Sequence, residues 1–231
     1  MEKFKHQTVS LILQLVASIF GLALIPVMVF LPNLNNFQVY FHEQIVGSLY
    51  VAVCFLGLAA AFYPIKCKRM FEKTQNLLSQ ANKAHKTVQI KGHHPDCQNY
   101  SKNRIKIGER VFCAACSGLV VGAITALVGT TFYFFVGVNS VLDGIWLLVL
   151  GEIGMSLGLA QIWAAGFDKV ILNVVFVVSS FITLGTVDAI GKSFFVDLYA
   201  LALILFLLWF RISLSEWNNR QTCSKCQLCF S

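Results

Sequence analysis

Residues 9–31 read VSLILQLVASIFGLALIPVMVFL, an uninterrupted run without one charged side chain. A hydrocarbon layer about 30 Å thick needs about 20 mostly apolar residues in a helix. This stretch therefore predicts a membrane-spanning helix, and five further stretches repeat the pattern: 45–65, 111–142 (starting near Cys116), 145–165, 170–190 and 194–210. None alternates in polarity, which argues against a transmembrane barrel. Lipid offers backbone N–H and C=O groups no partners, so each span should be helical. Lys3 and Lys5 before the first run resemble a signal sequence, but the run exceeds the 7–15-residue core of a cleaved signal. It reads as a retained signal-anchor helix.

Composition agrees. Apolar residues make up 57% of the 231 and charged residues 13%, where soluble domains average about 25% charged. The formal net charge of +7 would suggest nucleic acid in a soluble chain. Six spans instead place 17 of the 18 basic residues on one side, leaving Lys192 alone on the other. Cytoplasmic loops carry the excess of Lys and Arg. The expectation is an all-α membrane protein of about six transmembrane helices in the cell membrane, with both termini cytoplasmic and no nucleic-acid partner. Residues 1–65 hold helices one and two, 66–111 a basic cytoplasmic loop, 112–212 helices three to six, and 213–231 a Cys-rich cytoplasmic tail.

Within the loop, 67–87 lacks Gly and Pro. Its apolar residues Met70, Leu77, Ala81, Ala84 and Val88 recur near helical spacing among lysines. That pattern suits an amphipathic helix on an anionic inner leaflet, or a solvated linker. Val88-Gln89-Ile90-Lys91 and Arg104-Ile105-Lys106-Ile107 alternate and lead towards Gly92 and Gly108. They predict two short strands, each running to a Cys-bearing turn.

Those turns hold the sharpest chemical signal. His94 and Cys97 are separated by two residues, as are Cys113 and Cys116, with fifteen residues between the pairs. Two ligands at that spacing close on one tetrahedral ion from a tight turn, and the second turn supplies the other pair. A reducing cytoplasm disfavours disulfides. Zn²⁺ is the expected ion, with His93 as the alternate nitrogen ligand. The competing readings are an iron–sulfur centre, haem, a Cys113/Cys116 redox pair, or buried cysteines without a cofactor. Cys223, Cys226 and Cys229 in the tail form a weaker second set, which Cys67 or His85 would have to complete.

The segment Gly92-His93-His94-Pro95-Asp96-Cys97, followed by Cys113-Ala114-Ala115-Cys116-Ser117-Gly118, resembles a family of uncharacterised prokaryotic multi-pass membrane proteins. Its hallmark is a Cys-Ala-x-Cys-Thr/Ser-Gly element at the start of a transmembrane helix, with a Cys/His element upstream. Many members carry Arg-Ser after the upstream element, where this chain has Gln98-Asn99-Tyr100-Ser101. The resemblance implies that the Cys/His set is a defining feature, and it implies no reaction.

Inside the spans, Glu152 stands out. An ionised carboxylate at mid-span costs about 2.5–3.5 kcal/mol on insertion scales, so it should face the bundle, be protonated or find a partner. It is a candidate proton or cation site or a structural hydrogen bond. Ser156 shares its face and Gln14 is a candidate partner, whereas Gln161 falls on the opposite face. Asp143, Asp188 and Asp197 lie near span ends and read as interfacial residues facing water. Gly154 and Gly158, and Gly118, Gly122 and Ala126, mark faces where helices approach closely, within the chain first and between copies second. No Walker loop, dinucleotide fingerprint, nucleophile elbow or zincin motif is present, which leans away from an enzyme. The leading expectation is a membrane protein with a structural zinc site on its cytoplasmic side. It would serve as an interaction module at its loop or tail, or as a small-solute or ion transport module. The alternative is a membrane redox protein.

Overall fold

A computed structural model describes residues 2–30, 41–62, 90–91, 94–95, 103–107, 110–137 and 144–224. Helix α1 covers Glu2–Phe30 and α2 His42–Phe62; α3 is Ala114–Thr130, α4 Ile145–Leu159, α5 Gly166–Gly191 and α6 Phe194–Ser224. Six segments are long and apolar enough to cross a membrane, from Gln7–Phe30 to Phe194–Asn219. The helix expected over 67–87 and the residue Asp143 lie outside the described residues.

Two small hairpins precede α3. Strand β1 (Ile90–Lys91) pairs antiparallel with β2 (His94–Pro95), and β3 (Arg104–Ile107) with β4 (Arg110–Cys113). The expected strand at 104–107 is present, and of the one expected at 88–91 the described residues Ile90–Lys91 are a strand; each is paired as half of a hairpin. In the second hairpin Arg104 is in register with Cys113, so β4 runs directly into α3. Helix α3 begins at Ala114, two residues before the expected start. The sixth helix runs well past the expected end at residue 210, because 211–224 contains neither Gly nor Pro to stop it.

Helix α5 is the centre of the bundle and packs against α1, α3, α4 and α6. Glycines set the close approaches. A Cβ at Gly158 would lie 2.5 Å from the Phe176 Cβ, and one at Gly122 would lie 3.0 Å from the Val177 Cβ. Gly151 and Gly154 abut Thr183 and Ser179 in the same way. Both small-residue faces are therefore used inside the chain.

The polarity pattern is inverted relative to a soluble domain. Ser18, Thr130, Thr183 and Thr186 are fully buried, while Leu13, Leu56, Trp146 and Trp163 are exposed. An outward apolar face with polar groups turned inward fits a multi-pass membrane protein, since only the bundle offers hydrogen-bond partners. Ser18 Oγ donates to the Gln14 carbonyl at 2.7 Å, and Thr130 Oγ1 to that of Ala126 at 2.7 Å. Tyr50 on α2 reaches across to α5, with its hydroxyl 2.8 Å from Ser180 Oγ. An apolar crevice of about 400 Å³ opens beside it, lined by Cys54, Ala123, Phe176 and Ile204 among others.

Candidate functional site at the aspartate end

Alternating helices bring the end of α3, the start of α2, the end of α5 and the start of α6 to one end of the bundle. Only Lys192 and Ser193 separate α5 from α6. Lys192 takes a left-handed conformation (φ 44°), and its N–H donates to the Asp188 carbonyl at 3.0 Å, closing α5. Ser193 O accepts from the Asp197 N–H at 3.1 Å, opening α6. This tight reversal sets Asp188, one turn before the corner, against Asp197, one turn after it.

Neither aspartate faces water. Asp188 is 3% exposed and Asp197 0%. The expectation of interfacial residues was wrong because α2 and α3 cover the corner. His42, the first residue of α2, places Nε2 3.3 Å from Asp188 Oδ1. Tyr133 donates its hydroxyl to Asp188 Oδ2 at 2.8 Å. Tyr133 sits in a π-turn, Thr131–Phe135, that widens the last turn of α3; Val136 N–H bonds Thr131 O across it at 3.1 Å. Such turns recur at functional sites because they re-aim a side chain.

His42, Asp188 and Asp197 each offer a ligand atom, and these atoms lie within 4.8 Å of one another. Among the described residues, no donor reaches either Asp197 oxygen. Glu43, next to His42, adds a further negative charge within Coulombic range of Asp197. A buried charge without a partner costs several kcal/mol, so an ionised Asp197 at this end would need a cation beside it. Imidazole plus two carboxylates suits a divalent ion of the Zn²⁺, Mn²⁺ or Fe²⁺ kind. Ligand bonds of about 2.0–2.2 Å hold neighbouring ligand atoms about 3.4 Å apart in a tetrahedron. The His42–Asp188 pair already has that spacing, so Asp197 alone would need to close in.

Cys113 and Cys116 of the expected Cys/His set stand at the opposite, lysine end. Cys113 ends β4 and caps α3, and Cys116 lies in the first turn of α3. Neither is in a disulfide, and the two thiols lie within hydrogen-bond reach of each other. The structure therefore brings these two of the four expected ligands together. His94 is in β2, while Cys97 and the alternate His93 lie outside the described residues. So do Cys67, His85, Cys226 and Cys229; Cys223 belongs to the last turn of α6.

Glu152 is half-buried, and its Oε1 is buried without a partner among the described residues. Ser156 Oγ donates to the Glu152 carbonyl at 2.9 Å and not to its carboxylate. Gln14 Oε1 is likewise unpartnered, and Gln161 instead accepts from Arg211.

Sequence reasoning passed over His42 and Tyr133 altogether. The signal for the aspartates was present: two acids, each one turn from a two-residue corner, must meet if the corner closes. No family model, curated protein or solved structure matches the chain.

Proposed function

We propose that the chain is an integral membrane protein that binds a divalent cation at the outer end of its helix bundle. The observation that carries this reading is the convergence of His42, Asp188 and Asp197, the last without a hydrogen-bond donor among the described residues, from three elements on one point. Tyr133, hydrogen-bonded to Asp188, would orient that carboxylate for the ion. Three protein ligands leave coordination positions open, as at sites that exchange water or a small ligand.

In this reading the lysine end faces the cytoplasm and the membrane is the cell membrane. The 17 basic residues on that side support it. The Cys/His set acts there as a structural zinc knuckle that clamps the loop onto α3. The adjacent thiols of Cys113 and Cys116, neither of them in a disulfide, fit that role. Passage of the cation through the bundle is disfavoured, because Lys169 and Arg211 are buried at the far end and repel it. Metal analysis of the purified full chain tests both sites. Two ions per chain are expected, one lost in Asp188→Ala and the other in Cys116→Ser. Unchanged metal content and unchanged Mn²⁺ and Zn²⁺ titration curves in Asp188→Ala would refute the outer site.

A further inference from the structure

The lysine end holds two cations that the bundle encloses. Lys169, in the first turn of α5, is 6% exposed, and Arg211 on α6 is 4% exposed. By charge counting, Lys169 belongs to a short turn and Arg211 to a tail; both instead point between helices. Lys169 Nζ donates to Asn103 Oδ1 at 2.7 Å, which docks the residue preceding β3 onto α5. Arg211 Nη2 donates to Gln161 Oε1 at 2.9 Å and to Asn173 Oδ1, and its guanidinium lies 4.4 Å from the centre of the Phe176 ring. Asn173 ties the two cations into one unit, because its Nδ2 donates to the Lys169 carbonyl at 2.5 Å.

Among the described residues, these hydrogen-bond acceptors are neutral amides and none is a carboxylate. Arg211 Nη1 is buried with no partner among the described residues. The acids nearest in sequence, Asp168 and Glu216, are exposed. Cys113 lies within Coulombic range of Lys169, and a zinc-bound set of three thiolates and one imidazole carries one net negative charge. That charge balances only one of the two cations. The starts of α3 and α5 reach the same end, and neither N-cap residue, Cys113 or Ala165, makes a side-chain cap. The N-terminal ends of both helix dipoles add positive potential.

We propose that Lys169 and Arg211 form a binding site for one phosphate monoanion at the lysine end of the bundle. An arginine fork with a free nitrogen, beside a lysine with N–H groups to spare, matches tetrahedral phosphate oxygens. The phosphate comes from a lipid phosphodiester headgroup or from free inorganic phosphate, and the two sources share this chemistry.

The test uses the full chain in detergent. Native mass spectrometry follows titration with phosphatidylglycerol, and thermal unfolding follows titration with inorganic phosphate. The expected result is one bound equivalent in at least one arm, weakened at least tenfold in both Lys169→Gln and Arg211→Gln. A response in the lipid arm alone identifies a headgroup site, and a saturable response to inorganic phosphate identifies a free-anion site. If Arg211→Gln does not fold, Lys169→Gln carries the comparison. Binding in neither arm, equal binding to the variants, or binding lost in Cys113→Ser but kept in Lys169→Gln would overturn the proposal.

Discussion

Replacing Asp197 by Asn should move stability in opposite directions with and without metal. Without metal, Asp188 and Asp197 are buried carboxyl groups whose oxygens lie within 4.8 Å. To the extent that both are ionised, two unit negative charges at that separation repel by about 3.5 kcal/mol at an effective dielectric near 20. His42, 3.3 Å from Asp188, offsets part of this, so about 1–3 kcal/mol should be recovered when the second charge is removed. For a chain of this size that corresponds to a rise of roughly 2–12 °C in midpoint. With metal at a hundredfold excess over its Kd, the unmodified protein gains about 2.7 kcal/mol, and the variant should gain almost nothing. The assay is thermal unfolding of the detergent-solubilised full chain in chelator and in graded Mn²⁺ or Zn²⁺, at several pH values. The metal-dependent gain should shrink as pH falls, because the ligands must be deprotonated to bind. A variant less stable than the parent in chelator, or one that keeps the metal-induced shift, would refute the reasoning.

Tyr133→Phe removes the hydroxyl that orients Asp188 and should weaken metal binding about 10–100-fold while the helices persist, as checked by calorimetric titration and circular dichroism. Cys116→Ser should release zinc from the lysine end and make 91–110 protease-sensitive, and His94→Ala should release more zinc than His93→Ala; stoichiometric zinc in Cys116→Ser would contradict the ligand assignment. Gly158→Ala places a methyl 2.5 Å from the Phe176 Cβ and should cost about 1–3 kcal/mol, read as a lowered unfolding midpoint. Glu152→Leu should stabilise the chain if the carboxylate is only a burial cost, and should change metal or proton dependence if it is a site.

The six helices were legible because lipid imposes one length and one polarity on each. The glycine faces were legible because a missing Cβ has one common use between helices. The aspartate site was not. Position near a span end suggests water, and the burial of Asp188 and Asp197 depends on α2 and π-turned α3, far away in sequence. His42 carries no motif of its own; it matters because the start of α2 lands on the α5–α6 corner. Lys169 and Arg211 were hidden for a related reason. Counting positive charges assigns them correctly to one side of the bundle but is blind to how deep they lie. Cys113 and Cys116, two of the four residues expected to ligate, lie close together because a single helical turn joins them.

The buried charges at the ends of α5 oppose their own helix, although the exposed Asp168 beside Lys169 complements it. Lys169 stands in the first turn, where the backbone dipole is positive, and Asp188 in the last turn, where it is negative. Each placement opposes the macrodipole and costs about 0.3–1 kcal/mol, more where solvent is excluded. The most enclosed helix of the bundle is thus locally frustrated at both tips. Its neighbours must hold those tips in place, through Asn103 at one end and through Tyr133 and His42 at the other. Sequences selected for stability alone remove such conflicts. A cation bound beside Asp188 and an anion bound beside Lys169 would each reverse the sign of its conflict.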